Sequence, residues 1–193
     1  MKNMHHSVRA ITYAILAAAV IAVPANCANA QDFHAKLSGF NEIGPLGAGE
    51  TGAIFSQGQG TIALILNQQL QSLRYTLTYN NTLSSNVTQA HIHFGKKHVA
   101  GGIFLFLCTN LTPPAGVATP PACPAAGGSV SGLLTAGSVL AVPGQHITAG
   151  DFNVVVEALL SKTAYANVHT VNFPAGEIRG DIRRDDDENN QDN

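Results

Sequence analysis

The stretch Gln89 to Gly95 reads QAHIHFG and sets two imidazoles at alternate positions, His91 and His93. In a β-strand such residues share one face with Cα atoms roughly 6 to 7 Å apart, close enough to chelate one ion once a third ligand faces them. A third imidazole comes late in the chain, in YANVHTV (165 to 171). There strand alternation puts Tyr165, Asn167 and His169 on one face and Ala166, Val168 and Thr170 on the other. Imidazole sets of this kind suit Cu(II), Zn(II) or Ni(II), with copper bound most strongly in the general order of affinities. The candidate metal ligands are therefore His91, His93 and His169, and copper or zinc is the cofactor they would take. In a plainer reading the three histidines and Asn167 make structural hydrogen bonds within a sheet.

The segment GEIRGDIR (176 to 183) adds charge to this picture. Ile178 and Ile182 take its apolar face, so Glu177, Arg179 and Asp181 are expected on the opposite, outward one. Alternating charges on a strand face are usually a solvated ladder, here with a Glu177–Arg179 pair across the sheet worth about 0 to 1 kcal/mol. Their functional role would be to hold a ligand in place: Glu177 or Asp181 could orient a ligating imidazole through its other ring nitrogen. If the three strands are neighbours, one outer face gathers three imidazoles, a guanidinium, two carboxylates, a phenol and an amide. That is a dense cluster for a chain with 11% charged residues. Lys96, Lys97 and His98, in the turn after the H-x-H strand, read as surface charge.

These strands need a sheet to hold them. FHAKLSG (33 to 39), AIFSQGQGTIALILN (53 to 67), LQSLRYTLTYN (70 to 80), TQAHIHFG (88 to 95) and GGIFLFLC (101 to 108) all read as strands, with GSVSGLL (128 to 134) weaker. Together with the two late segments they predict an all-β fold, an antiparallel Greek-key sandwich or barrel. One helix interrupts them: Phe152, Val155, Val156, Leu159 and Leu160 recur at helical spacing, and Thr148 and Asp151 are spaced as a capping box. The helix is expected over about 149–161.

The chain opens with Lys2 and Arg9, an uncharged apolar run, and Ala28-Asn29-Ala30, the pattern of a secretory signal peptide cut after Ala30. Residues 31–184 are then expected to form one domain and 185–193, DDDENNQDN, a disordered acidic tail. No later stretch is long enough to cross a membrane as a helix of about 20 residues. With Lys2 and Arg9 removed, eight basic residues face twelve acidic ones, which argues against nucleic acid as a partner. The implied location is periplasmic or secreted. There Cys108 and Cys123, flanking a Pro-rich loop, read as a disulfide, and no CxxC spacing suggests a thiolate metal site. Asn80, Asn86 and Asn110 each begin an N-x-S/T sequon.

No catalytic residue is assigned. The sequence has no G-x-S-x-G elbow, no H-E-x-x-H, no phosphate loop and no dinucleotide fingerprint.

The opening Gly39-Phe40-Asn41-Glu42-Ile43-Gly44-Pro45, the central AHIHFG and the closing YANVHTVNFPAGEIRGDI together resemble the CHRD domain, named for its repeats in chordin. The likeness runs from Phe33 to Ile182. In the last motif Tyr165, Asn167, Val168, His169, Thr170, Pro174, Gly176, Glu177, Ile178, Arg179 and Gly180 fall where the family has them. The opening has one proline where the family often has two. The resemblance implies a β-sandwich that acts as a non-enzymatic binding or structural module toward an extracellular or periplasmic protein partner. A weaker similarity is to copper-zinc superoxide dismutases, Greek-key barrels in which an H-x-H strand, a later V-H and an arginine occur in the same order as His91-Ile92-His93, Val168-His169 and Arg179. The chain departs from them in lacking a bridging histidine, a zinc cluster and the expected cysteine, and none of His34, His98 or His146 matches a fourth ligand by motif. Three functions follow: a binding module, a copper or zinc protein using the histidine cluster, and a dismutase-like oxidoreductase. The last would need a redox-competent copper with an open position.

Overall fold

The computed structural model describes residues 30–43, 52–114 and 119–188. The expected leader lies outside the described residues up to position 29, as does the end of the acidic run from position 189. Nine strands form one antiparallel, nearly closed sheet: β1 (Ala30–Ser38), β2 (Gln59–Asn67), β3 (Ser72–Tyr79), β4 (Val87–Phe94), β5 (Gly102–Thr109), β6 (Gly128–Thr135), β7 (Ala164–Thr170), β8 (Ile178–Asp181) and β9 (Arg183–Arg184). Their spatial order is β5-β4-β7-β8-β1-β2-β3-β6, with β9 beside β1. The all-β expectation holds, and the two late segments do flank each other next to the H-x-H strand.

Alternation builds the core. Phe33, Ala35 and Leu37 of β1, Ile62, Leu64 and Leu66 of β2, and Leu73, Tyr75, Leu77 and Tyr79 of β3 all point inward and are buried, while their neighbours face water. Each such Leu or Ile contributes about 1.5–3 kcal/mol of apolar burial. A hydrogen bond also reaches across toward the open ends of the sheet: Tyr75 of β3, the strand beside the end strand β6, donates its hydroxyl to Leu107 O of the other end strand, β5. The Cys108–Cys123 disulfide closes the Pro-rich loop as expected, with Cα atoms 5.0 Å apart. Asn110 fastens that loop too, donating to Val87 O and Cys123 O and accepting from Cys123 N.

The helix α1 runs Phe152–Leu160, three residues later than expected at its start. Asp151 is the cap, its side chain accepting from Asn153 N at 3.1 Å. Thr148 belongs to the preceding turn, where its carbonyl accepts from Asp151 N. Phe152, Val155, Ala158 and Leu159 form the buried face. At the chain's far end Asp185–Glu188 make a helical turn, α2, where the sequence suggests a disordered tail. Asp185 meets His34 Nδ1 at 2.6 Å, which anchors that turn to β1.

Candidate metal centre

Strand β7 is buried along its whole length. Its Ala164, Ala166 and Val168 face the core, and Tyr165, Asn167 and His169 face the other way, yet this second side is dry as well. Antiparallel register sets His91 of β4 opposite Asn167, His93 opposite Tyr165, and Asn167 opposite Arg179 of β8. The β4–β5 pairing slips between Ala90 and His91 and again between Ile92 and His93. Such irregularities re-aim side chains. Strands β4 and β7 thus bring all three imidazoles to one place.

The expectation of an outward, solvated face is overturned. His91 is 0% exposed, His93 7%, His169 5%, Glu177 0% and Arg179 2%. Alternation separates two faces of a strand but cannot say which of them water reaches. Here the segments at 39–43, 95–101 and 171–177 fold over the polar face. Only Asp181, among the three charges of that strand, keeps partial exposure.

Two backbone carbonyls fix the rings. His93 Nδ1 donates to Gly101 O and His169 Nδ1 donates to Pro174 O, each at 2.9 Å. A carbonyl can only accept, so in both rings the proton sits on Nδ1 and the neutral form leaves a bare lone pair on Nε2. Those lone pairs turn inward: His93 Nε2 and His169 Nε2 each lie 3.0 Å from Asn167 Oδ1, itself an acceptor. His91 Nδ1 lies 3.2 Å from His169 Nε2. Its Nε2 is buried without a hydrogen-bond partner. One ligand atom from each of the three histidines falls within 4.8 Å of the others.

Burial keeps these rings neutral. It pushes His91 down to about 2, helped by the neighbouring His169 and His93, and pushes His93 down to about 4 against the opposing pull of its bond to Gly101. His169 is also lowered, again chiefly by burial. Neutral imidazole is the form that binds a metal.

The charged groups take other roles than those expected of them. Glu177 and Arg179 do not pair. The Glu177 carboxylate accepts from Ser56 Oγ, Ser84 N, Ser84 Oγ and Thr170 Oγ1, tying the 171–177 segment to the end of β7 and to the loops that carry Ser56 and Ser84. Burial alone would raise its pKa, but these donors outweigh it and hold the group below the usual carboxylate range. Arg179 donates to Val99 O and Lys96 O and so straps down the 95–101 turn, with Asp181 at 3.6 Å. Neither Glu177 nor Asp181 orients an imidazole: Gly101 O and Pro174 O do, and a backbone carbonyl leaves no residue-type signal in the sequence. Lys96, Lys97 and His98 are exposed as expected, and His34 and His146 lie elsewhere.

One site residue escapes the strand argument, because it comes from a loop. Glu42 is 6% exposed, and burial pushes its carboxyl up to about 7 against the lowering influence of Arg179 and, most weakly, of the Asn167 amide. Glu42 Oε1 is itself buried without a hydrogen-bond partner. Gly176 makes room for both groups. A Cβ there would sit 2.7 Å from Glu42 Oε1 and 2.8 Å from Asn167 Nδ2. Glu42 and Gly176 were visible in the sequence only as letters of the two motifs.

Residues 33–182 match the CHRD domain model. The chain belongs to the CHRD family. None of the curated proteins and none of the solved structures matches it. Within this CHRD domain the motif residues Glu42, His91, His93, Asn167, His169, Gly176 and Arg179 converge on one buried region, although 125 positions separate Glu42 from Asn167 in the chain. Membership supports a binding or structural module. Among the described residues no helix is long and apolar enough to cross a membrane.

Proposed function

We propose that this CHRD-domain protein is an exported module that binds one transition-metal ion, copper or zinc, through His91, His93 and His169. The single observation carrying the reading is the convergence of bare nitrogen lone pairs. His93 and His169 hand their N–H groups to Gly101 O and Pro174 O and turn both Nε2 atoms toward a shared acceptor, Asn167 Oδ1. Without a cation, His91 Nδ1, 3.2 Å from His169 Nε2, has the one proton that could fall between these groups, and His93 Nε2 and Asn167 Oδ1 still face each other as two buried acceptors, which is costly because each loses water and gains no hydrogen bond from the other. A metal ion at their centre turns the same arrangement favourable. Metal-binding imidazoles commonly donate their other N–H in this way, which raises ligand basicity and fixes ring orientation.

Export is supported by the leader pattern at 1–30 and by the Cys108–Cys123 disulfide, since disulfides persist in oxidising compartments. Binding is preferred over turnover for this site. A dismutase-like reaction needs an open metal position that substrate can reach, and the three imidazoles are at most 7% exposed.

Calorimetric titration of purified, chelator-stripped protein with Cu(II) and with Zn(II) tests the reading. The expected result is one ion bound per chain at sub-micromolar affinity, lost in His91→Ala, His93→Ala and His169→Ala. Affinity that survives all three substitutions would refute it and leave a module whose histidines serve the sheet alone.

A further inference from the structure

Three histidines leave a transition metal one ligand short of the tetrahedral set that closed structural sites show. Asn167 Oδ1 is the atom that fills the gap. It lies 3.0 Å from His93 Nε2 and 3.0 Å from His169 Nε2, while His169 Nε2 lies 3.2 Å from His91 Nδ1. Four donors each about 2.0–2.1 Å from a central ion stand about 3.3 Å apart along the edges of a tetrahedron. These three of the six edges fall slightly inside that length, and the imidazole ligand atoms all lie within 4.8 Å of one another, so small ring movements would close the shell around an ion.

The sense of the amide matters as much as its position. Its Nδ2 lies on the side of Glu42, next to the same Gly176 space as Glu42 Oε1, so its oxygen is the end turned toward the rings. The NH2 is thereby given to the Glu42 carboxyl, and the oxygen is left facing two bare Nε2 atoms that have no proton to offer it. It suits a cation.

Resting on the histidine site proposed above, we propose that Asn167 supplies the fourth donor through Oδ1, so that the metal sits in a closed three-nitrogen, one-oxygen shell with no position left for a substrate. The bound ion is then a structural element that staples β4 to β7, and the divalent ions it selects are those content with tetrahedral coordination, zinc foremost.

Cobalt(II) reports coordination number directly, because its visible absorption is intense when four-coordinate and weak when water raises the number to five or six. The full-length protein is loaded with Co(II) and its spectrum and affinity are compared with Asn167→Ala, Asn167→Asp and His91→Ala. The unsubstituted protein is expected to show the intense four-coordinate spectrum. Asn167→Ala should bind at least tenfold more weakly with the bands diminished. Asn167→Asp, which keeps the shape and puts an anionic oxygen in the same place, should keep the bands and bind more tightly, and it decides the matter if the alanine variant does not fold. If Asn167→Ala keeps both affinity and spectrum, or Asn167→Asp changes neither, the fourth-donor assignment is overturned while the histidine site, lost in His91→Ala, stands. If the unsubstituted protein takes up no Co(II), the histidine site fails and this inference fails with it.

Discussion

The Arg179 guanidinium lies over the ring of Tyr165, its central carbon 3.3 Å from the ring centroid, and the Tyr165 ring in turn stacks on His93 with centroids 4.7 Å apart. The three groups form a pile in which the cation meets an electron-rich ring face and the last member is a candidate metal ligand. Tyr165 also accepts from Gly101 N, the residue whose carbonyl holds His93 Nδ1. Strap, ring and ligand are therefore one mechanical unit.

Breaking that unit at Arg179 should cost more than a surface charge. Arg179→Ala removes the donors to Val99 O and Lys96 O and leaves a space against Tyr165. A loss of about 3 kcal/mol is expected, since hydrogen bonds to a charged group contribute about 1.5–3 kcal/mol. Urea unfolding at pH 7 measures it. Arg179→Lys should recover little, because an ammonium has neither the planar stack nor the fork. A midpoint unchanged in either variant would contradict the strap.

The Glu177 staple makes a second test. Four donors from Ser56, Ser84 and Thr170 lose their acceptor in Glu177→Ala, and buried donors left unpaired cost about 1–3 kcal/mol each when they cannot reach water. We expect at least about 3 kcal/mol of destabilisation. The 171–177 segment should then lose amide-exchange protection before the strands do.

Acid should weaken the metal-free protein from a higher pH than carboxylates alone would dictate. Unfolded, the three imidazoles take up protons near 6.5; folded, His93 does so only near 4 and His91 near 2, with His169 also lowered. Their contribution to stability is therefore complete above about pH 6.5 and is lost as pH falls below it. Glu42 works in the opposite sense. Its raised value means that its contribution is full below 4.5 and is lost as pH rises from 4.5 to about 7. Glu177, lowered by its donors, adds a further loss below 4.5. Three imidazoles outweigh one carboxyl, at about 1.4 kcal/mol per proton per pH unit. Urea midpoints of chelator-treated protein should fall steadily from pH 7 to pH 5, and a flat profile across that window would count against buried neutral histidines.

Gly176→Ala probes the cavity. Its φ of +125° is unsuited to alanine, and the new methyl would collide with Glu42 Oε1 and Asn167 Nδ2. A destabilisation of about 2 kcal/mol is expected from the backbone conformation alone. Because the collision displaces Asn167, metal affinity measured by titration should drop as well, which a purely conformational penalty elsewhere would not produce.

Replacing Cys108 and Cys123 together by serine should cost about 3 kcal/mol, the loop-closure value for a bridge of 15 residues. The measurement is thermal or urea unfolding beside the unsubstituted protein. Asn110, which bonds Val87 and Cys123, should hold Cys123 in place once the chain is folded.

Much of this protein was written in local pattern. Period-two alternation or a short apolar run marked β1 to β5, and alternation separated Ile92 from His91 and His93, Val168 from Asn167 and His169, and Ile178 from Arg179, because a strand's geometry assigns faces without reference to anything distant. The Cys108–Cys123 bridge and the existence of α1 were equally local. The start of α1 was not: Thr148 and Asp151 both suit a cap, and only the path of the preceding turn chose Asp151.

What the tertiary structure alone decided is whether the polar face is wet. The strands bearing His91, His169 and Arg179 could have shown that face to solvent, and the charges on it suggested that they do. Loops from distant parts of the chain cover it instead: Glu42 from one, the 95–101 turn under Arg179 from another, and 171–177 held by Glu177. Burial turns solvated groups into neutral imidazoles and fixed hydrogen-bond acceptors. It does so through desolvation, which depends on everything packed around a residue and so has no signature in the residue's neighbours along the chain.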